Sequence, residues 1–549
     1  MNSSEKIICP LCSDSVDKLL YRFHIENERT VIEKIKSEHP SWALHDGLCS
    51  RCLDYYHLEI VCEQRILPAI GPHFPVKSAD DFVILPTGLR LDADPRFTGK
   101  GITICFIDSG FYPHPDLTRT RNRIKKFIDI TTGSEILSTA KESENSSWHG
   151  TMTSVVCAGD GYLSKGLYKG IASDADLVLI KAQNAEGKIT TENIVKALKW
   201  VLENHEAFDI RIVNISLGDD EIVSYKESKV DQLAEALIEK GVMVVAAVGN
   251  DEFGAIHPPA NSLNVIAVGG VDDDNKIGNE MNKAYHSSYG KTIDELMKPE
   301  LVAHAIWVAA PILPGTFEKT EAEVLYRLLS TENYSLQNEL QAHISKTKLS
   351  YSILEVHDVE HIKEIIKSRI QSAKYISPHY MHVDGTSFAA PVVSSVIAQL
   401  LEANPELTPI HIRHLLFVNA KRIPDIGPER QGFGIVQPRK SLFKILKRES
   451  FMNLPKSPFI NKEKNSIEFV VHSDCAEQIS LSGSFNHWAK DVLILEPGIN
   501  GLWKIEIPML PEGKYHYKFC KDGKTWMEDI DNPYREPDGF SGFNSILTV

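Results

Sequence analysis

GITICFIDSGFYPHPDL, residues 101–117, opens with an apolar run that stops at Asp108. Ile102, Ile104, Cys105, Phe106 and Ile107 would face both sides of a strand, which suits a strand buried between two layers. Outward from it the pattern recurs in ADLVLIKA (175–182), IRIVNISLG (210–218), GVMVVAAVGN (241–250) and LNVIAVGGV (263–271). Between these runs lie amphipathic segments of helical period, among them TTENIVKALKWVLENH (190–205) and VDQLAEALIEKG (230–241). Short doubly apolar strands alternating with helices predict an α/β fold, a doubly wound parallel sheet, over residues 80–448.

Two more sites share the chemistry of Asp108. HGT begins a predicted helix at His149, and DGTSFAAP places Ser387 at a turn that enters the apolar run VVSSVIAQLLEA. A hydroxyl nucleophile needs an imidazole to take its proton and a carboxylate to orient that imidazole. A serine at a helix N-terminus also gains unpaired N–H groups and the positive end of the dipole. Asn250, closing AAVGN, has a side-chain amide able to donate to an oxyanion.

DSGFYPHPDL, HGT, NISLG, AAVGN, NVIAVGGV, KPELVA and GTSFAAP, taken in this order, resemble the subtilase (subtilisin-like) family. The resemblance covers most of residues 80–445 and implies a serine endopeptidase. It makes Asp108, His149 and Ser387 the catalytic triad, in the chain order of subtilisin, and Asn250 the oxyanion donor. It implies that Ser216, Leu217 and Gly218 pair with extended substrate backbone, and that Ala246, Ala247 and Val248 wall the side-chain pocket. Three features depart from the family pattern. Met152–Thr153–Ser154 stand where a histidine and small apolar residues are usual. Asp219 and Asp220 follow Gly218, and two carboxylates there would favour basic substrate side chains. Residues 316–375 read as a helical insertion, with EAEVLYRLLS and VEHIKEIIKSRIQSA as its helices, either a flap over the leaving-group side of the cleft or a surface excursion away from it.

Before the α/β region, residues 1–75 carry Cys9-Pro-Leu-Cys12 and Cys49-Ser-Arg-Cys52. Two CxxC turns present four thiolates, which close a tetrahedral structural zinc site; redox dithiols are the alternative. A helix is predicted in ERTVIEKIKSEH from Glu28, and Trp42, Leu44 and Leu48 supply a small core. Such a module suits stability, or docking of a protein partner, rather than catalysis.

A polar linker follows at 449–465. From 466 to 549 short alternating strands (IEFVVHSD, QISLSGSF, GLWKIEIPML, KYHYKFCKDG) predict an all-β sandwich. This stretch resembles the glycogen-binding module of the AMP-activated kinase β subunit and of glycogen-branching enzymes. By that resemblance Trp488 and Trp526 stack on sugar rings, Lys518 and Asn544 meet hydroxyls, Phe540 threads the glucan, and Trp503 belongs to the core. The implied ligand is an α-1,4-glucan such as glycogen, with a docking-only sandwich as the alternative.

The chain has 549 residues, enough for several domains, and a net charge of −15, which disfavours nucleic acid as a main partner. No secretory signal is visible, no run of about 18 apolar residues suggests a membrane span, and scattered cysteines suit a reducing cytoplasm. The loop GDGYLSKGLYKG (159–170) lacks the carboxylates calcium prefers, so calcium is not assigned. Two rivals stand beside a glucan-regulated cytoplasmic protease. One is an inert or locked glucan-bound scaffold. The other is a stress or defence protease triggered by a partner at the zinc module.

Overall fold

The computed structural model describes residues 7–11, 15–16, 25–48, 52–53, 56, 84–137, 146–218, 221–277, 282–446, 457–473, 476–498 and 501–549. It divides into two compact units, residues 76–409 with 420–438, and residues 1–75 with 410–419 and 439–549.

At the N-terminal end of the second of these units, helix α1 (Ile25–Glu38) starts three residues before the segment that its apolar period marks. Val31 and Ile35 pack with Cys9, Leu11, Trp42, Leu48, Cys52 and Tyr56 into a small core, to which Phe443 and Leu446 add. The Trp42 indole donates to the Gly47 carbonyl at 2.9 Å, which satisfies its one polar atom.

The α/β unit is built on seven parallel strands. They are β1 (Thr103–Asp108), β2 (Ile124–Asp129), β3 (Asp176–Lys181), β4 (Ile210–Ile215), β5 (Met243–Ala247), β6 (Ile266–Asp272) and β7 (Leu301–His304). Their order across the sheet is β7-β6-β5-β4-β1-β3-β2, with Lys283–Ala284 added antiparallel to β6. Every residue of β1 is buried, as expected of a strand covered on both faces. The helices between strands are α2 (Ser147–Ala158), α3 (Thr191–Asn204) and α4 (Lys229–Glu239). Thr190 and Ser228 cap the last two by accepting the backbone N–H of Asn193 and Asp231. The chain leaves β1 toward β3 and β2, then returns to β1's other side at β4. That reversal opens a crevice at the carboxyl ends of β1 and β4, where open α/β sheets bind ligands.

The inserted segment has its own core. Strand β8 (Val308–Pro311) leads into α5 (Phe317–Ser330), α6 (Leu336–His343) and α7 (Val359–Ser372), and β9 (Tyr380–Val383) returns antiparallel to β8. Ala322, Leu325, Leu328, Leu336, Leu340, Ile362 and Ile366 fill the space between the helices. Buried Glu321 accepts from Arg369 (2.7 Å), Tyr375 (2.8 Å) and the Lys348 N–H (2.6 Å). Helix α8 (Thr386–Ala403) follows β9. It is as long and apolar as a bilayer span, with a mean hydropathy of 1.3, but 83% of it is buried within this unit.

The C-terminal strands form two antiparallel sheets. One orders β10 (Phe459–Asn461), β11 (Ser466–His472), β14 (Leu502–Pro508) and β13 (Glu496–Pro497). The other orders β12 (Ile479–Gly483), β15 (Lys514–Lys521), β18 (Phe543–Thr548) and β17 (Arg535–Pro537), with β16 (Thr525–Met527) beside β15. Phe469, Leu481, Tyr517, Phe519 and Leu547 meet between the sheets, and Trp503 lies in the same core. Phe459–Asn461 pairs with Ser466–Glu468, so the sandwich begins inside the stretch expected as linker.

Candidate active site

Asp108 ends β1 and His149 lies in the first turn of α2, which the sequence brings together through Gly150. A Cβ there would lie 2.4 Å from the Gly110 carbonyl and 2.9 Å from Asp108 Cβ, so only glycine lets the helix approach. His149 Nδ1 meets Asp108 Oδ1 at 2.7 Å, and the Ser109 N–H donates to the same oxygen at 2.6 Å. Asp108 is buried. Burial pulls the His149 pKa down, but the Asp108 charge and hydrogen bond outweigh it, and the net shift is upward. The imidazole is packed between two rings, Trp148 edge-on at 5.2 Å and Phe388 at 5.9 Å.

Ser387 is the second residue of α8. Gly385 at the N-cap has φ +134°, a conformation that favours glycine and sets the sharp entry into the helix. Pro391 has no N–H to give the Ser387 carbonyl four residues earlier. The Ser216 hydroxyl fills that vacancy at 2.9 Å, and the Ser387 hydroxyl donates in return to the Ser216 carbonyl at 3.2 Å. Asn214 and Ser394 extend this buried chain behind Ser216.

Asn250 lies beyond β5. Its side-chain oxygen accepts from the Thr386 N–H (2.8 Å) and hydroxyl (3.0 Å), which leaves its NH₂ end as the donor. The Asn250 loop is pinned by His286 Nδ1 on the Asn250 carbonyl (2.9 Å) and by the Ser288 hydroxyl on the Asp251 carbonyl (2.7 Å). Ser216, Leu217 and Gly218 continue past β4, while Ala246, Ala247 and Val248 end β5 and begin the next loop. All therefore gather at the carboxyl ends of the central strands. Asp219 and Asp220 lie outside the described residues.

Sequence reading did not single out Thr153, Ser216's hydroxyl or Trp148. The polar pair Thr153–Ser154, where small apolar residues are usual, was the available signal for Thr153. Asp116, between β1 and β2, accepts at Oδ1 from the N–H of Leu163 in the loop after α2 (3.1 Å) and at Oδ2 from the Tyr380 hydroxyl (2.5 Å).

On the sandwich, Trp488 and Trp526 face each other with ring centroids 6.0 Å apart at 81°. Tyr517 and Phe519 point to the core between the sheets, so Lys518 and Cys520 lie on the other face of β15, both buried there, with Trp526 opposite Cys520. By the same alternation Asn544 on β18 faces outward, and Phe540 is 89% exposed. Lys518 is ion-paired with Asp538, whose other oxygen accepts the Phe540 N–H (2.7 Å) and the Gly542 N–H (3.0 Å). Asp538, not anticipated from sequence, thus organises the turn that carries Phe540.

At the N-terminal end, Cys9 and Cys52 are buried with sulfurs 3.9 Å apart. That is far beyond a disulfide bond and matches the edge of about 3.8 Å that a tetrahedron of Zn–S bonds near 2.3 Å requires. Cys12 and Cys49 lie outside the described residues.

Residues 99–434 match the model of the subtilase family, and residues 458–534 that of carbohydrate-binding module 48 (isoamylase N-terminal domain). The serine protease AprX of Bacillus subtilis (strain 168) is 27% identical over 354 residues, 63% of this chain and 67% of that protein. An alkaline protease of Alkalihalobacillus alcalophilus is 28% identical over 198 residues, 36% of this chain and 45% of its own length. The chain thus spans between about half and two thirds of the length of these two relatives. Fervidolysin from Fervidobacterium pennivorans, a keratinolytic enzyme related to subtilisin, is a solved structure similar at 19% identity and a TM-score of 0.45, over 77% of this chain and 53% of that one.

Proposed function

Because this chain belongs to the subtilase family and carries a carbohydrate-binding module, we propose that it is a serine endopeptidase whose action is localised or regulated by an α-1,4-glucan. The observation that carries the catalytic reading is the 2.7 Å contact between His149 Nδ1 and Asp108, with the same imidazole against the ring of Phe388, the residue after Ser387. Ser387 Oγ attacks the scissile carbonyl while His149 Nε2 takes its proton. Asp108 holds the imidazole in the tautomer that leaves Nε2 free and stabilises the imidazolium that forms. The Asn250 NH₂ and the Ser387 N–H receive the oxyanion. His149 then returns the proton to the leaving amine, and water repeats the cycle to release the acyl group.

Ser216–Gly218 binds the substrate as an added strand, and Ala246–Val248 bounds the pocket for the side chain before the cleaved bond. Trp488, Trp526 and Phe540 offer apolar faces to glucose rings, with Lys518 and Asn544 at the hydroxyls. Cys9 and Cys52, joined by Cys12 and Cys49, would hold a structural zinc, which supplies cross-linking to a core too small to fold alone. The setting is the cytoplasm.

A second reading, a locked scaffold, is favoured by one contact: the Ser387 hydroxyl is turned to the Ser216 carbonyl. Labelling with a fluorophosphonate probe separates the two. Wild type should label, Ser387→Ala should not, and glycogen should raise the rate. Absence of labelling in wild type with and without glycogen supports the lock.

A further inference from the structure

The two oxygens of Asp108 are shared between two residues of one helix. Oδ1 faces His149, and Oδ2 accepts from the Thr153 hydroxyl at 3.1 Å. Residues four apart on a helix lie one above the other, so α2 presents His149 and Thr153 to one carboxylate. Thr153 is fully buried and β-branched, so its side chain has little rotational freedom. Its oxygen also lies 3.0 Å from the Gly150 carbonyl, but its single proton favours the charged acceptor. The neighbouring Ser154 hydroxyl behaves differently and bonds only within its own helix, to Gly150 (2.8 Å) and Thr151 (3.1 Å) carbonyls.

We infer that Thr153 is a positioning residue for the proteolytic reaction: it clamps Oδ2 of Asp108 so that Oδ1 is held against His149. The inference rests on the protease reading. The hydroxyl draws negative charge toward Oδ2 and fixes the carboxylate plane, and both effects pass to Ser387 only through His149. Without it a buried carboxylate oxygen loses its donor, the carboxylate can turn, and more of its charge bears on the imidazole.

Thr153→Val keeps the shape and removes the donor, while Thr153→Ser keeps the donor and removes a methyl. The pH dependence of peptide hydrolysis is measured for both, with Ser387→Ala as the blank. Thr153→Val should lose about 10-fold or more in kcat with little change in KM, and its acid limb should move to higher pH. Thr153→Ser should stay within about 3-fold of wild type, with the limb unmoved. If Thr153→Ser is the poorer enzyme, or if Thr153→Val keeps the wild-type limb, Thr153 is mere packing and the inference fails. If Thr153→Val does not fold, Thr153→Ala takes its place with the same two outcomes. Hydrolysis by Ser387→Ala at the wild-type rate would instead overturn the protease reading itself.

Discussion

In the proposed triad His149 accepts a proton only when neutral, so its pKa would set the acid side of the activity profile. Asp108 raises that pKa despite burial. The expected acid limb of kcat/KM therefore lies above about pH 6.5, the ordinary histidine value, and activity falls as pH drops through it. Asp108→Asn should cut kcat by about 10⁴ and move the limb down; steady-state rates from pH 5 to 9 measure both. Asn250→Ala should cost about 10²–10³ in kcat with a small change in KM, the magnitude established for subtilisin itself. The motifs of Asp108, His149, Ser387 and Asn250 were legible because each lies near a strand end or helix start, and the fold brings Asp108 to His149 and Asn250 to Thr386. Thr153 and the Ser216 hydroxyl were not, because their value depends on which distant atoms the fold delivers to them. A threonine in a helix ordinarily bonds its own backbone, and only the meeting of α2 with β1 redirects this one.

Among elements, five of the seven parallel strands were readable from runs apolar on both faces, and α5 and α7 from their period; β2 (IKKFID) was not, because its first half is partly exposed and lysine-rich. Helix α6 was missed because LQNELQAH offers only Leu336 and Leu340 at helical spacing, too few to signal a face. The insertion is tied by one charge. The Glu321 pKa is pushed up by burial, but its hydrogen bonds from Arg369, Lys348 and Tyr375 more than offset this and hold it below the usual range. A depressed carboxylate stabilises the fold above its unfolded pKa of about 4.3, and that stability disappears as pH falls through the folded value. Glu321→Ala leaves Arg369 without its partner and should cost about 3–5 kcal/mol, read as earlier proteolytic nicking within 317–372. The sandwich has the opposite response. Burial, aided by Asp531, pushes the Asp529 carboxyl up to about 7. A raised carboxyl favours the fold below its unfolded pKa of about 3.9, and the advantage is lost as pH rises to about 7. The sandwich should thus melt higher at pH 5 than at pH 8, and Asp529→Asn should flatten the difference.

Taken whole, the molecule joins a subtilase domain, a close pair of buried cysteines and a carbohydrate-binding module in one chain. The subtilase domain and the carbohydrate-binding module could be found from sequence because acyl transfer and stacking each demand particular residue types. The Cys9–Cys52 approach could be expected from CxxC spacing, whereas the packing of Phe443 and Leu446 into the same core could not, since nothing local announces a partner about four hundred residues away.

Helix α8 has a consequence for the enzyme's endurance. Ser387 sits at the head of a segment greasy enough to pass for a bilayer span, and only burial against the sheet and α2 keeps that segment dry. Once heat opens the α/β unit, neighbouring chains compete for it, and clumping outruns refolding. Thermal loss of activity should be one-way: the midpoint should climb with faster heating, and cooling should recover little. Full recovery, with a midpoint blind to scan rate, would argue against this. The working life of the nucleophile is then a rate, set by how seldom the sheet lets go of the helix that carries it.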